Sequence, residues 1–349
     1  MRRRPLLLAL PALALSPSTW SLPPLTLRFP RDHGAHPLLR TEWWYITGQA
    51  TSGGREFGFQ VTFFRSRVDS TQGMASKFAA RQLLFAHAAV TDVEGRKLRH
   101  DQRIAREGFG IASASVDDTS IRLRDWSLRR DNGAYLASVV AQDFALDLRC
   151  APTQPLLLQG DQGLSRKGPL PQQASYYYSE PQLAVSGSIR LQGAALQVQG
   201  KAWMDHEWSD ELLHDDAQGW DWIGMNLDDG SALTAFRLRT RDDAALWDGG
   251  SFRPAQGSTT IFSRGEVIFS AQRRWKSPLS QASSPVEWTV RTPADIYTVR
   301  AVIDDQELDS RASTGAIYWE GLAHLFDSNG KRVGQGYLEM TGYAQRLRL

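Results

Sequence analysis

The chain has 349 residues, with 40 basic and 38 acidic side chains and a formal net charge of +2. That length suits two domains or one large β-barrel, and a near-neutral chain with no basic arm or stripe excludes a nucleic-acid-binding surface. Twelve Trp and a single Cys exclude an internal disulfide and exceed what a core needs, because every indole N–H wants a partner.

Met1-Arg2-Arg3-Arg4 leads into an apolar run from Pro5 to Leu15. This is a basic n-region and an h-region, too short to span a bilayer as a helix. Residues 1–22 are read as an export signal, with cleavage near Ala12-Leu13-Ala14 or at Ser16 or Ser18. Arg3-Arg4-Pro5-Leu6-Leu7 also fits a loose twin-arginine pattern, so the Sec and Tat routes both stay open. The expected location is periplasmic or secreted. No later apolar run is long enough to span a membrane, so no transmembrane segment is expected after signal removal.

Alternation with period two dominates the rest. It is clear in Phe57-Gly58-Phe59-Gln60-Val61-Thr62-Phe63, in Ala145-Leu146-Asp147-Leu148, in Leu233-Thr234-Ala235-Phe236-Arg237 and in Tyr297-Thr298-Val299-Arg300. Turn signals separate these runs at Ser52-Gly53-Gly54, Asp131-Asn132-Gly133, Asp229-Gly230 and Ser328-Asn329-Gly330. One short helix is expected between Met74 and Ala86, and a helical turn between Glu211 and Ala217. Cys150 falls in an alternating run and reads as a buried structural thiol. Gln159 to Gln173, rich in Gly, Pro and polar residues, reads as a long loop that is a lid or a cross-connection. The pattern predicts an all-β protein with two domains, 23–212 and 213–349, the boundary lying in the acidic stretch Ser209 to Gly219. An echo between Trp43-Trp44-Tyr45 and Trp220-Asp221-Trp222 fits two similar barrels.

The densest chemistry is Asp205-His206-Glu207-Trp208. On a strand, Met204, His206 and Trp208 share one face, and Trp203, Asp205 and Glu207 share the other. His206 is a candidate proton relay, and an acid that orients it must come from another strand, Glu42 or Asp221. The competing reading is that these polar groups pair with Arg or backbone N–H at a domain seam. His33-x-x-His36 with His87 or His206 matches no compact metal motif, so no metal site is expected. No Gly-x-Ser-x-Gly elbow and no Gly-rich phosphate loop is present, so neither serine-hydrolase chemistry nor a cofactor is expected.

Four ordered blocks carry a resemblance: Glu42-Trp43-Trp44-Tyr45-x-Thr47-Gly48, Trp203-x-Asp205-His206-Glu207-Trp208, Tyr318-Trp319-Glu320-Gly321 and Gly336-Tyr337-x-Glu339-x-Thr341-Gly342-Tyr343. Together they resemble the AttH / carotenoid 1,2-hydratase (CrtC-like) family of exported proteins, some named only as secreted hydrolases or as components of an ABC-transporter operon. The resemblance implies two lipocalin-like antiparallel β-barrel or half-barrel domains, side by side, with a hydrophobic cavity. It also implies cofactor-free hydration of an alkene. That chemistry needs a neutral acid to protonate carbon, aromatic faces for the resulting cation and a base for water. The hydratases resemble this recipe with His-x-Trp followed by Tyr-x-Asp. His206-x-Trp208 matches the first pair. The second is missing, since no Tyr lies between Tyr178 and Tyr297.

The expected function is therefore binding of a hydrophobic or amphipathic small molecule, isoprenoid-, polyene- or lipid-like, with hydratase or hydrolase acid–base chemistry. Asp221 or Glu207, or Asp205 with Glu207, would be the acid and His206 the base. Trp208, Trp220 and Trp222 would form the cation-tolerant wall, with Glu42, Trp44, Tyr45 and Tyr318 at the cavity. The alternative is a non-catalytic periplasmic carrier working with an ABC transporter permease.

Overall fold

The computed structural model describes residues 21–211 and 213–347, so the expected export signal lies almost wholly outside the described residues. Among them the first sheet comprises β1 (Thr41–Ser52), β2 (Arg55–Arg67), β3 (Gln82–Asp92), β4 (Lys97–Arg106), β5 (Ala112–Ala114), β6 (Ser120–Leu123), β7 (Trp126–Asp131), β8 (Ala134–Val140), β9 (Phe144–Ala151), β10 (Leu157–Leu158), β11 (Leu164–Arg166), β12 (Ala174–Leu191) and β13 (Ala194–Ser209). Its order is β4-β3-β2-β1-β13-β12-β9-β8-β7-β6-β5, and the sheet curls until β6 meets β3 and β4. Closing the sheet in this way removes most of its exposed edge.

The second sheet comprises β14 (Gly219–Leu227), β15 (Ala232–Arg239), β16 (Ala245–Arg253), β17 (Thr260–Phe262) and β18 (Ile268–Ala271). A small hairpin of β19 (Arg274–Lys276) and β20 (Ser283–Pro285) follows, and then β21 (Glu287–Arg291), β22 (Ile296–Ala301), β23 (Glu307–Ser310), β24 (Ala316–Phe326) and β25 (Arg332–Met340) complete the sheet. All pairings are antiparallel. The expected all-β, lipocalin-like architecture is therefore present. Each sheet holds its first strand between its second and its last: β1 lies between β2 and β13, and β14 between β15 and β25.

The alternation fixes which side chains go where. Trp44, Ile46, Phe57, Phe59, Val61 and Phe63 point into the first core, and Ile223, Met225, Leu233 and Ala235 into the second. Cys150 is fully buried in β9, where burial raises its thiol pKa to about 12. The outer faces of β1, β13, β14, β24 and β25 are not left to water. They dock on each other and bury Tyr45, Trp203, Trp222, Phe236, Leu322 and Tyr337 at the seam. Burying an aromatic or Leu side chain of this kind is worth about 1.5–3 kcal/mol. Polar links also cross the seam, from Thr91 Oγ1 to Gln306 Oε1 (2.8 Å) and from Trp222 Nε1 to Tyr177 Oη (3.3 Å).

Three connecting segments differ from expectation or are sharpened by the structure. No helix forms between Met74 and Ala86. A 3-10 turn at Asp69–Thr71 gives way to irregular chain, and β3 starts at Gln82. Leu84, Ala86, Ala88 and Val90 are buried on alternate positions, so tertiary burial overrides the helix propensity of the alanines. The described residues between 211 and 217 carry a bend and a turn and no helix. The 159–173 segment is anchored rather than free, because β10 and β11 both pair with β12.

The seam leaves no room at Gly58, where an added Cβ would lie 2.8 Å from Tyr337 Oη and 2.9 Å from Leu322 Cβ. We expect Gly58→Val to part the docked faces and to cost about 1–3 kcal/mol by overpacking. A lowered melting temperature with faster limited proteolysis between residues 209 and 219 would show this, and unchanged proteolysis would refute it.

Candidate functional site

Cross-strand register places the tetrad between β1 and β12. His206 lies opposite Trp44 and Tyr178, Asp205 opposite Tyr45 and Ser179, and Glu207 opposite Trp43 and Tyr177. The two faces then enter different environments.

The inner face closes a hydrogen-bonded network at one end of the first barrel. His206, fully buried, stacks on Trp44 with ring centroids 4.6 Å apart. Its Nε2 lies 3.0 Å from Glu42 Oε1 and its Nδ1 3.2 Å from Tyr178 Oη. Glu42 also accepts from Arg65 Nε (2.7 Å) and meets His36 Nδ1 at 2.7 Å. Burial alone would raise the Glu42 pKa, but the hydrogen bonds from His206 and His36 outweigh it and hold it well below the usual carboxylate range. Burial lowers His206 to about 4 despite the pull of Glu42. The imidazole is therefore neutral at physiological pH, with Glu42 at Nε2 and Tyr178 at Nδ1, and the Tyr178 hydroxyl also meets His33 Nδ1 at 2.7 Å. Trp208 stacks on His36 at 3.9 Å, and Trp44 Nε1 donates to the His33 carbonyl. The network thus pins the Arg31–His33 3-10 turn into the barrel mouth. One ligand atom from each of His36, Glu42 and His206 falls within 4.8 Å of the others. Arg65 holds the second Glu42 oxygen, and the three groups already satisfy one another.

The outer face lines a cavity of about 300 Å³ between the two sheets. Trp43, Tyr45, Phe64 and Phe85 wall it from the first sheet, and Trp220, Trp222, Phe236 and Leu238 from the second. Asp205, Glu207, Glu320 and Glu339 all border it. Register brings two of these acids together, since Glu320 lies opposite Glu339, which in turn lies opposite Trp222. Asp205 accepts from Ser179 Oγ (2.5 Å), Trp203 Nε1 (2.6 Å) and Tyr177 Oη (2.7 Å). Burial nevertheless raises it to about 7, and the neighbouring Glu207 charge adds to the rise. Burial also raises Glu339 to about 8, with Trp220 opposing and Asp205 and Glu207 reinforcing. Glu320 is pushed well above the ordinary range by burial and then by Glu339. The Tyr45 and Tyr318 hydroxyls approach Glu320 and oppose part of that rise. Glu207 differs from the other three. Ser175 Oγ donates to it, and Lys167 Nζ lies 3.1 Å away, itself 4.3 Å above the Phe236 ring. Lys167 follows β11, so the 159–173 cross-connection delivers a cation to the cavity. At the far wall His87 Nδ1 meets Tyr318 Oη and Nε2 meets Ser313 Oγ, both at 2.8 Å, and burial lowers this imidazole to about 3.

Of the residues singled out from sequence, Asp205, Glu207, Tyr45, Trp220, Trp222, Tyr318 and one edge of Glu42 reach the cavity. His206, Trp208, Trp44 and Asp221 are not among its lining residues. Asp221 lies inside the second sheet, where Arg237 Nε donates to it at 2.7 Å, Arg239 Nε lies 3.4 Å away and Tyr343 Oη donates at 3.0 Å. His206 and Asp221 therefore share no cavity. Lys167, Tyr177, His87, Glu320 and Glu339 have site positions that sequence reasoning did not assign. Glu320 and Glu339 stood inside the ordered blocks, as acids interrupting otherwise apolar strands.

This architecture, two lipocalin-like β domains enclosing an acid-lined apolar cavity at their seam, defines the class of protein. The chain matches the AttH-like family over residues 21–343 and belongs to that family. A putative AttH from Nitrosomonas europaea superposes with a TM-score of 0.87 at 46% identity, covering 93% of this chain and 99% of that one. Kievitone hydratase from Nectria haematococca superposes with a TM-score of 0.72 at 12% identity, over 92% of this chain and 94% of its own. CghA follows with a TM-score of 0.53 at 12% identity, over 88% of each chain. At such identities the last two share the fold. No curated protein sequence matches the chain significantly.

Two outcomes follow from these electrostatics. Arg65→Met leaves the Glu42 charge buried with fewer partners, and such losses cost about 3–5 kcal/mol. Denaturant unfolding should show that loss, and a midpoint within error of the parent would refute the network's role. Asp205 and Glu339 bind protons more tightly in the folded chain than in the unfolded one, where carboxyls titrate near about 4. Below that pH both states are protonated. As pH rises towards 7 and 8 the unfolded chain ionises first, so stability falls across that window. We expect Glu339→Gln to raise the melting temperature near pH 8 and to leave it nearly unchanged near pH 4. Parallel pH profiles for parent and variant would contradict the assignment.

Proposed function

We propose that this protein binds a hydrophobic or amphipathic small molecule in the seam cavity and carries out cofactor-free proton transfer of hydratase type on it. The observation that supports this most directly is the presence of Asp205, Glu320 and Glu339, all with raised pKa, around an aromatic-walled cavity. A carboxylic acid that keeps its proton near neutral pH can donate it to an alkene carbon. Asp205 is the acid we favour, because three donors orient it, with Tyr45 beside it on the adjacent strand and Trp222 reaching it from the other sheet through Tyr177. Protonation forms a C–H bond at one alkene carbon and leaves a cation at the other, which the Trp220 and Trp222 faces can stabilise. Water then adds to that carbon and loses a proton. Glu207, ion-paired with Lys167, stands on the same strand face to receive it. In this reading His206 and Glu42 fix the strand that carries both acids and take no part in the chemistry.

The shared fold with kievitone hydratase, a hydratase by name, supports the reaction class. The basic, apolar N-terminus supports export, which would set the protein in the periplasm or outside the cell, where a lipophilic substrate would be met.

The test uses the purified protein with a panel of isoprenoid and polyene alkenes, read by native mass spectrometry for binding and by incorporation of isotope-labelled water for turnover. Asp205→Asn should retain binding and lose turnover by about 10²–10⁴-fold, the usual contribution of a positioned acid. Retained ligand with no turnover in the parent would make the protein a carrier. Full turnover in the variant would place the acid elsewhere.

A further inference from the structure

Beside the cavity the molecule carries an unusual surface. Phe78 and Phe109 are 69% and 54% exposed, yet their rings stack with centroids 5.6 Å apart. Met74 and Ile111 are exposed beside them. The Arg106 guanidinium lies 4.2 Å above the Phe109 ring and 5.5 Å above Phe78, and its Nη1 donates to the Phe78 carbonyl. Arg81 Nη2 donates to the Met74 carbonyl, and Arg122 Nη2 to the Gly110 carbonyl. Arg124 N donates to the Ile111 carbonyl. Lys77 precedes Phe78 and is exposed. Two loops, residues 74–81 and 107–111, thus form one apolar tip ringed by five cations. Among the described residues none of the five is ion-paired with a carboxylate. Glu107 is the nearby acid in sequence, and Asp125 faces Arg103 at 3.9 Å.

Backbone geometry holds the tip outward. Phe109 has φ 55° between Gly108 and Gly110, both also at positive φ, and the Gly108–Ala112 bridge closes the loop. A bulky residue in the left-handed region is costly. Burial does not offset that cost here, because the side chain is exposed.

The tip is continuous with the cavity. Arg106 lies opposite Leu83, and on the next rung of that face Ile104 lies opposite Phe85. Leu83, Phe85 and Ile104 all line the cavity. An apolar molecule leaving the tip would therefore pass along one strand face into the site.

We propose that this tip docks on an anionic lipid bilayer, with Phe78 and Phe109 entering the interface and Lys77, Arg81, Arg106, Arg122 and Arg124 meeting headgroup phosphates, so that lipophilic ligand exchanges between bilayer and cavity. Exposed apolar side chains within a basic ring are the composition of interfacial anchors, and each cation near an anionic surface adds attraction that salt screens. Charge complementarity selects the bilayer over a second copy of this chain, whose identical basic ring would repel. Ligand exchange rests on the function proposed above, whereas docking does not.

The experiment is sedimentation of the purified protein with vesicles of phosphatidylcholine alone or mixed with phosphatidylglycerol. Binding should require phosphatidylglycerol and weaken with salt. Phe78→Ser with Phe109→Ser, and separately Lys77→Glu with Arg124→Glu, should each weaken it by about tenfold or more while circular dichroism stays unchanged. Binding indifferent to phosphatidylglycerol, or unchanged in both variants, would overturn the proposal. So would a concentration-dependent dimer abolished by the Phe pair without vesicle binding, since a second copy would then cover the tip. Ala316→Trp, which fills the cavity, should keep vesicle binding and lose retained ligand. Docking that persists in a parent protein retaining no ligand would uphold the surface and reject the cavity reading alone.

Discussion

Desolvation at the domain seam governs the arrangement of charge in this protein. Each sheet buries its inner face in its own core and much of its outer face against the other sheet. A carboxylate on either face must then find a cation or keep its proton. Around the tetrad and the cavity the chain uses both solutions. Glu42 with Arg65, Asp221 with Arg237 and Glu207 with Lys167 are paired. Asp205, Glu320 and Glu339 face the seam without a cation and are shifted upward. The paired acids tie neighbouring elements together, and these three unpaired ones line the cavity.

Much of this was legible in the sequence where the physics is local. Period-two alternation identified the strands and split the tetrad into two faces, because neighbouring Cβ atoms on a strand must point oppositely. Hairpin arithmetic held more than was read from it. Glu42 and Arg65 are equidistant from the Gly53-Gly54 turn, and they pair in register. Asp221 and Arg237 are equidistant from Asp229, and they pair too. That symmetry alone placed an Arg opposite Asp221. The meeting of Asp205 with Glu339 and Glu320 was not legible, since it depends on which outer faces dock. The Met74–Ala86 stretch misled for a related reason. Its alanines favour a helix in isolation, and only the neighbouring strands make their alternation decisive.

The two domains repeat one plan. In each, the first strand presents two aromatics to the seam, Trp43 and Tyr45 or Trp220 and Trp222, and pairs with the last strand. Asp205 lies opposite Tyr45, and Glu339 opposite Trp222. The two acids are therefore equivalent positions of a repeated fold brought face to face. Divergence shows one strand further on, where Ser179 lies opposite Asp205 but Glu320 lies opposite Glu339. The first domain solvates its acid with donors, and the second confronts its acid with another.

Because the cavity walls come half from each domain, the site exists only while the domains are docked. A molecule bound there touches both and acts as a clamp, so occupancy and docking belong to one thermodynamic cycle. Affinity for ligand and resistance of the seam to parting must then rise and fall together. A substitution far from the cavity that loosens the seam weakens binding without touching the ligand, and the ligand restores what that substitution removed.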